Sequence, residues 1–397
     1  MYDYLVIGGG IIGLNIALAL KAKESTCKIV LIEKERDVAM HSSGRNSGVL
    51  HAGFYYSADS LKAKFTRDGN RLMHEFCEER GLKINRCSKV VVATDEKELA
   101  GLEELKRRGD KNGVELHWMS QEELSAKYPN IKTYKKALFS PKTSSVDPIE
   151  VTKEFAKLAN EKGITILTNT TYLKQIAQDE FLTNQGSIKA KKLINCAGLY
   201  ADKIAKEFGF AKEFVIIPFK GIYLKDEKNL SALQTNVYPV PNLANPFLGV
   251  HYTLTLKDEA KIGPTAIPAF WRENYKGFDN FRFDEFCQII FYEAKLFFTN
   301  AFGFRKLAFD EVKKYSKSHL LHLAKKLTHK MPHKGYTKWS TPGIRAQLLN
   351  TKTLELVQDF VVEGDEKTVH VLNAVSPAFT SAIPFANWVV ESYIIKK

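Results

Sequence analysis

Gly8, Gly10 and Gly13 stand in the spacing G-x-G-x-x-G, and Glu33 follows twenty residues after the last of them. Such glycines let a chain turn tightly and let a pyrophosphate approach the N-terminus of the helix that follows. The acid can accept hydrogen bonds from a ribose and disfavours a 2′-phosphate and hence NADP, which leaves NAD and FAD. A second stretch, "HSSGRNSGVLHAGFYY" at 41–56, mixes Ser42, Ser43, Gly44, Ser47, Gly48 and Gly53 with Arg45, His51, Tyr55 and Tyr56. Small residues let backbone lie against a ligand, and the others can bind or react with one, so this stretch points to a wrapped cofactor. His51 in "GVLHAG" and His251 in "LGVHYT" share apolar-small surroundings. An imidazole there can take a hydroxyl proton near neutral pH.

The fingerprint needs a β-α-β unit to hold it, and the flanking text supplies one. Residues 4–7 form an apolar strand pattern, 10–23 a helical one, and "CKIVLIE" at 27–33 a second buried strand. A helix is expected from about Asp59 to Arg80, then a strand in "SKVVVAT" at 88–94. Ser120 with Glu123 signals a capped helix stopping near Pro129, and Asp147-Pro148 opens a helix that ends near Gly163. Strand-like runs follow at 164–168, 191–198, 214–224, 236–241 and 247–256, which predict a second sheet. Helical patterns at about 284–300 and 309–328 interrupt it. "IRAQLL", a hairpin near Glu363-Gly364-Asp365 and a helical 376–395 close the chain.

At 397 residues, 44% hydrophobic and 26% charged, the chain can bury the cores of two joined domains. Cys27, Cys77, Cys87, Cys196 and Cys287 are odd in number and never spaced C-x-x-C, which argues against a disulfide framework or zinc ribbon and fits a reducing cytoplasm. No basic n-region or cleavage site precedes the first strand, and no apolar run reaches the roughly 18 residues of a spanning helix. The net charge of +13 suits an anionic partner: nucleic acid, an acidic bilayer or a carboxylate. Much of it lies at 305–338, where Leu320, Leu323, Ala324 and Leu327 recur at helical spacing, so a solvated basic face on a packed helix is the simplest account.

The 41–56 stretch resembles the flavin-wrapping loop of the D-amino-acid-oxidase superfamily, specifically that of L-2-hydroxyglutarate dehydrogenases and oxidases. The similarity continues through "LINCAGLYADKIA" at 193–205, "PFKGIYL" at 218–224, "VYPVPNLANPFLGVHYT" at 237–253, "GPTAIPAFWRE" at 263–273, "GIRAQL" at 343–348 and "NAVSPAFTSAIPFA" at 373–386. Only about 276–338 lacks a matching motif. By this resemblance Gly8, Gly10, Gly13 and Glu33 hold the ADP half of FAD, and Lys34 is a further cofactor contact. Ser42, Ser43, Arg45, Asn46, Ser47 and Gly48 run along the pyrophosphate and ring, with Ala197 and Gly198 beside the cofactor's middle. Ser376, Pro377, Ala378, Phe379 and Thr380 resemble the last loop before a helix N-terminus, whose positive end stabilises charge at the flavin N1/C2 carbonyl. "GIR" resembles the Gly-Leu-Arg of amino-acid oxidases, which makes Arg345 the carboxylate fork, and Lys220 stands where relatives carry arginine and would contact a second carboxylate or the flavin.

The resemblance implies an α/β fold: a Rossmann-like FAD-binding domain from 1–80, 140–210 and 340–397, and a mixed-sheet α+β substrate domain from 81–139 and 211–339 with a helical basic insert at 276–338. It implies oxidation of a 2-hydroxy acid, L-2-hydroxyglutarate, to the 2-oxo acid by hydride transfer to non-covalent FAD. His51 or His251 would be the base, Arg345 and Lys220 the substrate contacts, no metal would take part, and oxygen or a quinone would accept the electrons. An amino-acid or amine oxidase of the same superfamily is the alternative. A basic nucleic-acid-binding module is the rival from another class, but no reader motif is present and no nucleic-acid partner is expected. A cytoplasmic protein is expected, with peripheral contact at the inner face of the membrane through 305–338 and Phe291, Phe297, Phe298, Phe302 and Phe304.

Overall fold

The computed structural model describes residues 1–241, 249–332 and 334–395. The motif text at 242–248 and His333 of the basic segment lie outside the described residues. The chain divides into two compact units, one of Met1–Asn46, Pro148–Pro218 and Ile344–Lys397, the other of Ser47–Asp147 and Phe219–Gly343.

The first unit is built on a sheet whose strands run in the order Val361–Gly364, Thr368–Asn373, Gly186–Asn195, Tyr2–Ile7, Ile29–Ile32 and Thr165–Leu167. All neighbours are parallel except the hairpin of Val361–Gly364 with Thr368–Asn373, whose turn Asp365 closes by accepting from the amides of Lys367 and Thr368. Parallel strands are covered on both faces, which explains the continuous apolar runs "YLVI" and "IVLI". Leu5 pairs with Leu193 and with Val30, and all three are fully buried. The helix Ile11–Lys23 packs against Ala378–Val389 and Pro148–Glu161. An antiparallel hairpin, Tyr172–Ala177 with Glu180–Thr183, extends from Gly186–Asn195.

The second unit carries an eight-stranded sheet in the order Tyr336–Trp339, Leu224–Asp226, Ala260–Gly263, His251–Leu254, Asn236–Pro239, Lys89–Val92, Lys136–Ser140 and His117–Ser120. Only Asn236–Pro239 and Lys89–Val92 run parallel. Side chains alternate between faces, so the register sorts this sheet into two cores. Val90, Val92, Val237, Tyr252 and Leu254 share one apolar face. Val91 and Tyr238 lie on the other, against Ala52, Phe54 and Tyr55.

The division differs from the expected one at 47–80, which groups with the second unit rather than the nucleotide half. Val49–Leu50 pairs with Ser144–Ser145, and from the helix Leu61–Glu79 Asn70 donates to the Leu50 and Lys142 carbonyls while His74 meets Ser144 Oγ at 2.7 Å. These bonds tie 47–80 to 140–147, which moves with it; 211–218 joins the first unit and 340–343 the second. The expected helix at 309–328 is two, Phe304–Lys313 and Lys317–Lys325, because Ser316 caps a new start by accepting from the His319 amide. No helix among the described residues is long and apolar enough to cross a membrane.

Candidate active site and nucleotide cradle

In the first unit the fingerprint glycines lie between Tyr2–Ile7 and Ile11–Lys23. Gly8 has φ +107°, and a Cβ there would fall 2.5 Å from the Cys196 carbonyl oxygen. A Cβ on Gly13 would fall 2.1 Å from the Gly8 carbonyl oxygen, so strand, turn and helix close on one another only with hydrogen at both places. Glu33 follows the second strand and accepts from the Gly9 amide at 2.8 Å and the Glu35 amide at 3.0 Å. Ser43 Oγ accepts from the Ile11 amide at 2.9 Å, which brings the serine-rich stretch to the opening of the helix. Amide donors at a glycine turn and helix N-terminus, with a carboxylate acceptor bound to that turn, are the groups a dinucleotide requires, so these residues fit FAD.

The neighbouring candidates are held by local bonds. Ser42 Oγ donates to the Ile344 carbonyl at 2.8 Å, Arg45 Nε to the Met40 carbonyl at 2.6 Å, and Asn46 Nδ2 to the Ser42 and Ser43 carbonyls. Lys34 pairs with Glu35 at 2.5 Å, and His41 bonds the same carboxylate at 2.9 Å. Those two partners outweigh the burial that opposes them and hold the Glu35 carboxyl below its usual range. Ala197 donates to Asn195 Oδ1 at 3.1 Å, and Gly198 has φ +55°. Of the expected last loop, Ser376 and Pro377 precede the helix Ala378–Val389, whereas Ala378, Phe379 and Thr380 already form its first turn. Arg345, in the strand Gly343–Asn350, is partly buried and belongs to the same unit. Ser47 and Gly48 fall beyond the division, in the second unit, where Ser47 Oγ accepts from the Val49 amide at 3.3 Å.

The second unit brings both histidines together around a residue that sequence reasoning missed. Lys89, wholly buried, leads its strand and lies with its ammonium 3.5 Å from His51 Nδ1. Asn236–Pro239 is hydrogen-bonded to that strand, and Tyr238 lies on the Lys89 face with its ring centroid 4.1 Å from the ammonium. His251, on the next strand, stacks on Tyr238 with centroids 3.7 Å apart. Its Nδ1 bonds the Gly249 carbonyl at 2.8 Å; a carbonyl only accepts, so Nδ1 carries a proton. Tyr55 and Phe54 complete the wall, 5.1 and 5.6 Å from the ammonium, and the buried Tyr55 hydroxyl has no hydrogen-bond partner among the described residues. A buried orphan hydroxyl beside a buried amine leaves polar capacity for a ligand.

Burial pushes the Lys89 pKa down to about 7, which the neighbouring Cys87 only partly opposes. Burial, reinforced by the Lys89 charge and by His251, holds His51 well below its ordinary 6.5, so its imidazole is neutral at physiological pH. A neutral imidazole is the form that can accept a hydroxyl proton. Lys220 is not in this cluster of contacts: its ammonium donates to Asn274 Oδ1 at 3.3 Å, and burial lowers its pKa. The sequence signal for Lys89 is slight, a lysine at the head of the apolar "KVVV".

A family model described as FAD dependent oxidoreductase matches residues 3–392. The L-2-hydroxyglutarate dehydrogenase of Escherichia coli (strain K12) is 34% identical over 404 residues, covering 98% of this chain and 93% of that protein. The mitochondrial L-2-hydroxyglutarate dehydrogenase of Homo sapiens is 33% identical over 415 residues, covering 98% of this chain and 88% of that protein. Among solved structures, the dithionite-reduced L-alpha-glycerophosphate oxidase of Mycoplasma pneumoniae with FAD bound superposes with a TM-score of 0.75 at 24% identity, over 98% of this chain and 94% of that one. Glycine oxidase from Geobacillus kaustophilus gives a TM-score of 0.72 at 18% identity, over 98% and 93% of the two chains.

Proposed function

The chain belongs to the FAD dependent oxidoreductase family, and from that membership we propose that it oxidises L-2-hydroxyglutarate to 2-oxoglutarate. The observation that carries the substrate is identity of 33–35% with L-2-hydroxyglutarate dehydrogenases over 98% of the chain, in bacteria and mammals alike. Bound FAD supplies the two-electron acceptor for the hydride that leaves C2. Gly8, Gly10, Gly13 and Glu33 would hold its ADP half; Lys34, Ser42, Ser43, Arg45, Asn46, Ser47, Gly48, Ala197, Gly198 and the 376–380 segment are its other proposed contacts. We propose that the binding is non-covalent.

His51 takes the hydroxyl proton and Arg345 pairs with the substrate carboxylate, while His251 and Lys220 are the remaining candidates for contacts with the substrate. His51 is the base we favour, because its imidazole is neutral and its Nδ1 lies 3.5 Å from the buried Lys89 amine. The test is anaerobic bleaching of the flavin by L-2-hydroxyglutarate against D- and L-amino acids, glycine and glycerol 3-phosphate. Bleaching fastest with L-2-hydroxyglutarate is the expected outcome. Preference for an amino acid would make the chain an amine oxidase.

We infer peripheral contact with an anionic membrane, where a quinone could receive the electrons. Phe278, Phe283, Phe291, Phe298, Phe302 and Phe309 are exposed, with Lys295, Arg305, Lys306 and Lys313 exposed on the same stretch of chain. Apolar rings flanked by cations suit an acidic bilayer surface. Two residues leave the contact expected from sequence: Phe304 is buried, and Lys314 is buried in an ion pair with Glu311. Co-sedimentation with phosphatidylglycerol vesicles at low salt, reduced when Lys313, Lys325 and Lys326 are neutralised, is expected. No binding at low salt ends this reading.

A further inference from the structure

The function proposed above leaves Lys89 without a task, although a buried lysine with no carboxylate within ion-pair distance among the described residues is an expensive thing to retain. Its ammonium lies 3.5 Å from His51 Nδ1. We propose that Lys89 is a positioning residue acting through His51: its neutral amine accepts the Nδ1 proton, so that Nε2 presents its lone pair to the substrate hydroxyl. The inference rests on the reading of this chain as a 2-hydroxy-acid oxidoreductase.

The bonds balance. The substrate O–H bond breaks as an N–H bond forms at Nε2; the Nδ1–H bond then breaks and its proton passes to the Lys89 nitrogen. The imidazole ends neutral and the lysine ends as an ammonium; C2 keeps its oxygen as a carbonyl, and bound FAD would supply the acceptor for the hydride that C2 gives up. The aromatic wall is suited to that outcome, since the faces of Tyr238, Tyr55 and Phe54 attract the ammonium as it forms. An arginine could not serve: it stays protonated, would donate to Nδ1, and would fix the proton on Nε2, the nitrogen that must be bare.

The groups facing Lys89 are His51, Tyr55, Tyr238 and Cys87, with His251 stacked on Tyr238. Burial pushes Tyr55, Tyr238 and Cys87 up, so they stay protonated near neutrality, and His51 is held well below its ordinary value. With Lys89 down at about 7, the amine is mostly protonated below that pH and mostly neutral above it. kcat/KM should therefore rise with pH through about 7 and then level.

The test uses the FAD-loaded protein and two variants. Lys89→Arg should lose roughly a hundredfold or more in kcat/KM at every pH, because alkali cannot deprotonate it; Lys89→Met should lose roughly ten- to hundredfold and lose the limb near 7. The second readout is nitrogen NMR of histidine-labelled protein at pH 8: His51 should carry its proton on Nδ1 in the wild type and on Nε2 in Lys89→Arg. Wild-type turnover by Lys89→Arg, an unchanged limb in Lys89→Met, or wild-type His51 protonated on Nε2 at pH 8 would each overturn the proposal. A wild-type enzyme inert toward every 2-hydroxy acid would instead defeat the function reading, and the NMR measurement still decides the Lys89–His51 contact.

Discussion

Gly13→Ala is expected to yield a folded, colourless protein. The added methyl would sit 2.1 Å from the Gly8 carbonyl oxygen, far inside contact distance, so the turn must move away from the helix. Gly8 cannot yield easily, because it is already at φ +107° with the Cys196 carbonyl behind it. The amides at the helix opening then no longer converge on a pyrophosphate. Losing one or two charge-assisted hydrogen bonds, at roughly 1.5–3 kcal/mol each, weakens FAD binding by on the order of a hundredfold. Fluorescence titration of apoprotein with FAD measures this directly. Wild-type affinity would show that the cofactor does not use this turn.

His51→Ala should keep its yellow colour and bind substrate, yet bleach on the order of 10²- to 10⁴-fold more slowly under anaerobic conditions, the range a positioned base contributes. The deficit should shrink as pH rises and hydroxide replaces the imidazole. Arg345→Lys provides the contrast. Lysine keeps the charge but not the two parallel hydrogen bonds of a guanidinium, so a roughly ten- to hundredfold fall in kcat/KM is expected, with KM raised and no rescue by alkali. His251→Ala should be the milder histidine variant, since His51 is the assigned base and His251 lines the site as a ring stacked on Tyr238. If His251→Ala is the crippled variant and His51→Ala the mild one, the two roles are exchanged.

The nucleotide cradle was legible because its information is local: strand, glycine turn, helix and acid occupy residues 2–33 with helical and strand periods that do not overlap. His51 and His251 were legible as types. Their company was not, because Lys89, Tyr238 and His251 are brought to one face by pairing between strands separated by about 150 residues of chain, and only the register decides which face a side chain takes. The domain boundary near Asn46 was missed for a related reason. The amphipathic helix Leu61–Glu79 declares that it has a buried face, but not which sheet it serves; the answer lies in Asn70 reaching Lys142 and His74 reaching Ser144. In the helical insert, spacing alone joined Phe304–Lys313 to Lys317–Lys325, and only the cap at Ser316 separates them.

Hydride loss from C2 of L-2-hydroxyglutarate is read out by stopped-flow absorbance of the FAD-loaded wild type under anaerobic conditions. Rapid, saturable loss of the oxidised flavin band with L-2-hydroxyglutarate, slowed several-fold by deuterium at C2 and accompanied by equimolar 2-oxoglutarate, is the expected result. A flavin that stays oxidised with L-2-hydroxyglutarate while glycine or another amino acid bleaches it would make the chain an amine oxidase and not a 2-hydroxy-acid dehydrogenase.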